Sequence, residues 1–332
     1  MTFTIAVDAM GGDLGPRVAF RGCVQALKSF GDLRILLFAH ESEKDWLEKA
    51  DHPSSLQIIY SSQLVEMSDK PSRVLRRKRQ STMAEAISSV RNGDAEACLS
   101  SGNSGALMVL ARAMLTCHDL IDRPALATDM PGQGKSFLML DLGANIQPSA
   151  EQLYQFALMG HAWRKAQGEQ APRIGLLNIG KEAMKGTEEI RLASQLISEQ
   201  SELNFSGFVE GSDLYAGEAD VVVCDGFSGN VALKTSEGLI HLIQDNVSRA
   251  LNDSFMARLL TPLLKNVFRH LESEINPVAN SGAVLIGLDK LVLKTHGNSN
   301  EQAFFHSIEY ALTQLRAGVL ADFVHNLDNI DQ

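Results

Sequence analysis

The chain has 332 residues, enough for one large hydrophobic core or two modest ones, and 45% of them are hydrophobic, as in ordinary soluble proteins. A net charge of −10 and an aromatic content of 6% argue against nucleic-acid binding. The first residues carry no export signal and no apolar stretch reaches bilayer length, so we expect a cytoplasmic protein. Four scattered cysteines predict neither a disulfide framework nor a zinc site: Cys23, Cys98, Cys117 and Cys224.

Short runs rich in Val, Ile and Leu alternate with longer segments of helical period. This alternation is typical of βαβ units around a mostly parallel sheet, and it predicts an α/β fold. In chain order, the predicted strands are residues 4–8, 34–39, 56–60, 95–100, 125–130, 137–142, 173–178, 204–209 and 220–224.

Glycine-rich loops follow five of these strands. AMGGDLGP follows the first, SSGNSGA the fourth and LGANIQP the sixth, while NIGKEAMKG follows the seventh and DGFSGN the ninth. All five lie on the carboxyl side of their strand, the side where open α/β sheets bind ligands because helix amino ends point there. We therefore expect an anion at this edge, and we expect Gly226 and Gly229 to allow a tight turn.

The sequence contains no complete motif for binding a nucleotide. MPGQGKS, residues 130–136, resembles a phosphate-binding loop, but its first glycine is replaced by Asp129 and a predicted strand follows it instead of a helix. No G-x-G-x-x-G motif follows the first strand. We therefore expect no cofactor and no metal ion.

Two segments interrupt the alternation within what we predict to be a single domain, residues 1–332. Residues 231–275 predict an inserted helical hairpin whose tip, near Leu251 and Leu260, is apolar with interspersed basic residues. Such a tip suits a dimer surface or a membrane surface, or the hairpin packs on its own core. The second segment is a basic run that predicts binding of an acidic partner or of phosphate: Arg73, Arg76, Arg77, Lys78 and Arg79.

Seven motifs occur in order along nearly the whole chain: VDAMGGDLGP, SSGNSGA, LDLGAN, LLNIGKEAMKG, FVEGSDL, DGFSGNVALKTSEG and KTHGNS. Together they resemble the bacterial phosphate acyltransferase family. The resemblance implies a Rossmann-like α/β/α sandwich related to phosphotransacetylases. It also implies transfer of a long-chain acyl group from acyl carrier protein to orthophosphate, giving an acyl phosphate for phospholipid synthesis.

The same resemblance implies a homodimer that associates peripherally with the inner face of the cell membrane. It also implies that a glycerol-3-phosphate acyltransferase uses the product downstream. It assigns catalysis to Lys185, which would balance phosphate charge, and to Asn230, which would donate to the thioester oxyanion. Phosphate is itself a nucleophile, so no general base is required. Other residues are predicted to line the path of phosphate and phosphopantetheine: Gly11, Gly12, Gly102, Asn103, Ser104, Gly226, Gly229, Lys234 and His296.

Ordinary structural roles remain open for these residues, since Ser and Asn often cap helices and loop lysines are usually solvated. Ser104 stands where we expect Thr, a change that keeps the hydroxyl. Cys224 could form an acyl-enzyme, but its place at the end of an apolar strand favours a buried, inert thiol. Two other functions also stay open: a coenzyme A-dependent acyl- or acetyltransferase, and a non-catalytic scaffold recruited to membranes through its basic run.

Overall fold

The computed structural model describes residues 2–253 and 282–330. Within these ranges one sheet of eleven strands has the order β3-β2-β1-β4-β11-β10-β5-β6-β9-β7-β8. The strands are β1 (Phe3–Asp8), β2 (Leu33–His40), β3 (Leu56–Ser61), β4 (Ala97–Ser100), β5 (Ala125–Met130), β6 (Phe137–Leu140), β7 (Arg173–Asn178), β8 (Asn204–Glu210), β9 (Val221–Val223), β10 (Ala283–Ile286) and β11 (Leu291–Lys294).

Helices cover both faces of this sheet. They are α1 (Pro16–Ser29), α2 (Lys44–Leu47), α3 (Pro71–Arg77), α4 (Thr82–Asn92), α5 (Ser104–Met114), α6 (Ala150–Ala166), α7 (Glu188–Glu199), α8 (Gly226–Asp253), α9 (Glu301–Ala317) and α10 (Val319–Ile330). One core lies under α1, α6, α7, α9 and α10, because these helices bury apolar side chains against one face. The other face packs against α3, α4 and α5 near β1 and against α8 near β6 and β9. The result is the predicted α/β/α sandwich.

The sheet consists of two parallel blocks joined by antiparallel strands. β3-β2-β1-β4-β11 form one block, β6-β9-β7-β8 form the other, and β10 and β5 lie between them. Three antiparallel pairings separate the blocks, so their strands run in opposite directions. Sheet twist of 20–25° per strand turns β9 by roughly 100° from β11. Twist therefore allows the carboxyl ends of the two blocks to approach each other.

All nine predicted strands are present, each with ends at most two residues from the predicted ones. β10 and β11 were not predicted as strands. Each has only four residues and is buried almost throughout, so it shows no apolar–polar alternation that would distinguish a strand from a helical segment. The prediction that the segment after MPGQGKS is a strand is confirmed by β6.

The first arm of the predicted hairpin is a helix that begins at Gly226, five residues before the predicted start, and runs to Asp253. The second arm and most of the apolar tip, from residue 254 to residue 281, lie outside the described residues. The hairpin and its surface role therefore stay predictions. In the two described ranges, no helix is both long and apolar enough to cross a bilayer.

Candidate active site

The loops after β1, β4 and β11 pack against one another through glycine backbone. A Cβ atom on Gly11 would lie 2.2 Å from the backbone nitrogen of Gly102, closer than any side chain allows. Gly12 has φ 92°, and a Cβ there would meet the Ser101 Oγ at 2.8 Å. The Asp13 N–H donates to the Gly297 carbonyl at 2.6 Å and closes the cluster. These three loops thus form one surface, which includes the predicted Gly11, Gly12 and Gly102.

Two buried charged side chains lie beneath these loops. The Asp8 carboxylate accepts a hydrogen bond from Ser100 Oγ at 2.7 Å, and burial raises its pKa. Lys294 Nζ donates to the backbone carbonyls of Ser101, at 3.3 Å, and of Thr295. Burial, aided by repulsion from a second lysine, lowers the pKa of Lys294 to about 8. Sequence reasoning singled out neither residue, although both belong to motifs that carried the family resemblance.

The buried Lys294 should leave a signature in stability. The unfolded chain keeps this proton up to an ordinary pKa of 10.5, whereas the folded protein releases it near pH 8. Between these values unfolding takes up a proton, so the free energy of unfolding gains at most about 1.4 kcal/mol per pH unit as pH rises. Below pH 8 both states are protonated and the contribution is constant. We expect urea unfolding to show this rise, and Lys294→Met to lack it; equal slopes in both proteins would contradict the assignment.

Helix α8 connects the two blocks of the sheet. Lys234 Nζ contacts Glu237 Oε2 at 2.8 Å, and Glu237 Oε1 lies 3.6 Å from His296 Nε2, at the end of β11. That Oε1 is buried and has no hydrogen-bond partner among the described residues. Burial lowers the pKa of His296, and Glu237 opposes this effect. The predicted Lys234 and His296 therefore share one cluster, and sequence reasoning missed the glutamate between them.

The first turn of α8 packs directly on the loop after β6. A Cβ on Gly229 would lie 2.0 Å from the Asp141 carbonyl oxygen, and one on Gly226 would lie 2.6 Å from the Asn145 carbonyl oxygen. Both glycines are helical, so the predicted tight turn is wrong; close approach of two backbones is what excludes a side chain here. The Asp141 carboxylate accepts from Leu126 N at 2.9 Å and from Asn145 Nδ2 at 3.0 Å, which fixes this loop.

Cys224 has the properties of an inert thiol. It is buried, and its Sγ donates to the Asp141 carbonyl oxygen at 3.3 Å. Burial, together with the negative charge of Asp141, raises the pKa of Cys224 far above its ordinary value. A nucleophilic cysteine needs a lowered pKa and access to substrate. The predicted burial of this thiol is confirmed.

The two predicted catalytic residues follow neighbouring strands of the second block, β7 and β9. Asn230 is exposed, and the Cβ position of Gly143 lies 3.6 Å from its side chain. Lys185 is also exposed, in a loop that Asn178 Nδ2 holds by donating to the Lys185 carbonyl at 3.2 Å. Within the described residues no hydrogen bond joins Lys185 to Asn230, and both side chains are accessible to a ligand. Their catalytic roles stay predictions.

Asn103 has a structural role in addition to its predicted one. Its Oδ1 accepts from Ala106 N at 3.0 Å and caps α5, while its Nδ2 donates to the carbonyls of Met67, at 2.9 Å, and Asp69, at 3.0 Å. Both of its N–H donors are thus used within the protein. Ser104, the first residue of α5, is exposed. These bonds hold the segment before α3 against the loop after β4.

The predicted basic run therefore lies beside the site. Lys78 forms an ion pair with Asp69 and is partly covered. The Arg79 guanidinium donates to the Leu75 carbonyl at 3.0 Å and stays exposed. Arg73, Arg76 and Arg77 are exposed on or near α3. The arginines, more than Lys78, are available to a partner. Among the described residues no three His, Cys, Asp or Glu side chains are grouped to hold a metal ion.

Two solved structures share the fold. A branched-chain phosphotransacylase from Enterococcus faecalis V583 superposes with a TM-score of 0.58 at 17% identity, covering 95% of this chain and 99% of that one. A phosphotransacetylase from Streptococcus pyogenes gives 0.58 at 16% identity, covering 100% of this chain and 95% of that one. Identity this low shows the fold alone, and it confirms the predicted phosphotransacetylase-related, Rossmann-like sandwich.

Sequence relatives are much closer. A family model described as "Fatty acid synthesis protein" matches residues 3–322. The phosphate acyltransferase of Shewanella sp. (strain MR-4) is 41% identical over 318 residues, which cover 94% of this chain and 93% of that protein. A match of this identity over nearly the full length of both chains is not limited to one motif or loop. The chain therefore belongs to the phosphate acyltransferase family.

Proposed function

We propose that this protein transfers a long-chain acyl group from the thioester of acyl carrier protein to orthophosphate. Membership of the family supports acyl transfer to phosphate. The observation that carries the proposal is the exposed amide of Asn230 at the amino end of the 28-residue α8, beside the loop after β6. A helix amino end and an amide donor both stabilise negative charge, which develops on the thioester oxygen during attack.

The reaction needs positioning more than acid–base chemistry. An oxygen of HPO₄²⁻ attacks the thioester carbonyl carbon, a C–O bond forms, and the C–S bond breaks. The proton of the hydrogen phosphate ends on the sulfur of the released thiol, so atoms and charge balance. Asn230 would donate to the carbonyl oxygen as it becomes an oxyanion, and Lys185 would offset the charge of the nucleophile.

The proposed carrier protein is acidic, and the exposed arginines of α3 offer a docking surface. We expect Arg76→Glu/Arg77→Glu to raise the KM for the acyl carrier protein thioester about tenfold at low salt, because like charges then face each other. The KM for phosphate should stay nearly unchanged. Steady-state kinetics at two salt concentrations measures both, and the difference from the unsubstituted protein should shrink at high salt.

A matched control is Lys28→Glu/Lys49→Glu. It makes the same change in net charge with two exposed lysines, on α1 and after α2, whose apolar neighbours pack on the opposite face of the sheet from α3. We expect it to leave both KM values unchanged. If reversal of Arg76 and Arg77 raised both KM values equally, the run would bind phosphate directly; if it raised neither, carrier docking there would be refuted.

The choice of thioester separates the proposal from its nearest alternative. Phosphate-dependent thiol release should be much faster with acyl carrier protein thioesters than with coenzyme A thioesters of the same acyl group. The reverse order would assign the protein to coenzyme A-dependent transfer, and no release with either would favour a non-catalytic scaffold. The product, a mixed anhydride, would be consumed by a glycerol-3-phosphate acyltransferase.

Two further parts of the proposal concern assembly. We propose that the protein is a homodimer and that it binds the membrane peripherally through the tip near Leu251 and Leu260. Support comes from the apolar and basic sequence of that tip. Sedimentation equilibrium tests the dimer, and flotation with anionic vesicles tests membrane binding. A monomer in the first experiment, or protein left in the bottom fraction in the second, would refute the respective part.

A further inference from the structure

A cavity of about 880 Å³ opens between the loop after β6 and the amino ends of α7 and α8. Phe227 and Ser228 contribute to its lining from the first turn of α8. Phe227 lies three residues before Asn230 and therefore on the same side of α8, so the cavity opens beside the turn that carries the proposed oxyanion donor. Its size is in the range of small-molecule binding sites.

Large apolar side chains form the entrance and the floor of this cavity. Phe227 and Ile146 are 62% and 53% exposed, although both are side chains that folding normally buries. Leu153 lines the same cavity and is 1% exposed, so it belongs to the floor. Ile190, from the first turn of α7, forms another part of the wall. An apolar ligand would remove these surfaces from water.

The charged side chains around the cavity disfavour an anionic occupant. Asp225 and Glu189 both line it, and among the described lining residues none is Lys, Arg or His. A phosphate group placed there would meet two carboxylates and no cation. The cavity therefore suits neither orthophosphate nor the phosphate of a pantetheine arm. The apolar part of its lining suits an uncharged hydrocarbon.

We propose that this cavity holds the acyl chain of the thioester, with the carbonyl end beside Asn230, and that Ile190 and Phe227 determine which chain lengths are accepted. The inference rests on the proposed acyl transfer. The attack of phosphate on the thioester then occurs at the glycine-rich loops and the start of α8. The hydrocarbon extends away from them toward Leu153.

The test compares palmitoyl and octanoyl thioesters of the same carrier protein. Ile190→Trp should fill the cavity and lower the ratio of kcat/KM for palmitoyl over octanoyl more than about tenfold, because each buried methylene is worth about fourfold in affinity and the larger ring displaces several. Phe227→Ala, at an exposed position, should reduce the palmitoyl preference several-fold without loss of folding. Leu192→Trp is the control, since Leu192 lies on the same helix, is exposed and does not line the cavity.

A second measurement does not depend on catalysis. 1-Hexadecanol alone, which is uncharged, should raise the melting temperature of the unsubstituted protein and of Leu192→Trp, but not that of Ile190→Trp. An unchanged chain-length ratio in both Ile190→Trp and Phe227→Ala, in protein that still makes acyl phosphate, would overturn the inference. Failure of the unsubstituted protein to make acyl phosphate from any thioester, while 1-hexadecanol still stabilises it, would instead refute the proposed function and leave the apolar site in place.

Discussion

Asn230→Ala is expected to lower kcat about 100-fold or more, because the loss of one oxyanion donor typically costs about 3 kcal/mol of transition-state stabilisation. The KM for the thioester should change little, since this hydrogen bond strengthens mainly in the transition state. The melting temperature should stay close to that of the unsubstituted protein, because the Asn230 side chain is exposed and makes no hydrogen bond among the described residues. Steady-state kinetics and thermal unfolding measure these effects.

Lys185→Ala should produce a loss of similar size, and Lys185→Arg should restore part of the activity because it retains the positive charge. Asn246→Ala serves as a control for Asn230→Ala: it removes another exposed asparagine from α8, four turns further along the helix. It should leave kcat unchanged. Near-normal rates in both Asn230→Ala and Lys185→Ala would show that neither residue acts in the reaction.

Gly229→Ala is expected to reduce both stability and activity strongly. The new Cβ would lie 2.0 Å from the Asp141 carbonyl oxygen and 2.7 Å from Cys224 Sγ, so either α8 or the loop after β6 must move. Overpacking of this kind costs about 1–3 kcal/mol, and sometimes more. Because the same turn carries Asn230, we also expect kcat to fall at least about 100-fold, as misplacement by about 1 Å can do.

Gly238→Ala, nine residues further along the same helix, provides the matched control. A Cβ at Gly238 meets no atom of residues 2–253 or 282–330 within 4 Å, so it should stabilise the helix by about 0.5–1 kcal/mol and leave kcat unchanged. Denaturant unfolding and kinetics on the two variants test the contrast. Similar stability in both would contradict the close packing of α8 on the β6 loop.

The sequence predicts those features whose pattern lies within a single short segment of the chain. Apolar runs bounded by glycine predicted nine strands, and the position of each loop after its strand predicted which segments form the site. Gly11 and Gly102 illustrate the limit of this reasoning. Their motifs predicted an anion-binding edge, whereas the structure shows that the two backbones also approach each other too closely for any side chain.

The features of the site that the sequence did not predict depend on contacts between distant parts of the chain. The cluster of Lys234, Glu237 and His296 forms only because β10 and β5 reverse the sheet and α8 reaches the end of β11. No pattern within a single segment predicts that arrangement. Burial of Asp8 and Lys294 likewise depends on tertiary structure. From the sequence alone, a charged residue at the end of a strand is expected to be exposed to solvent, because the loops that cover it are not known.

The most direct test of the account is to incubate the protein with palmitoyl-acyl carrier protein and ¹⁸O-labelled orthophosphate and to analyse the products by mass spectrometry. We predict palmitoyl phosphate that carries the label, formed in step with free carrier thiol and dependent on both substrates. Release of unlabelled palmitic acid as the sole acyl product, or thiol release at the same rate without phosphate, would contradict attack of phosphate on the thioester at this site.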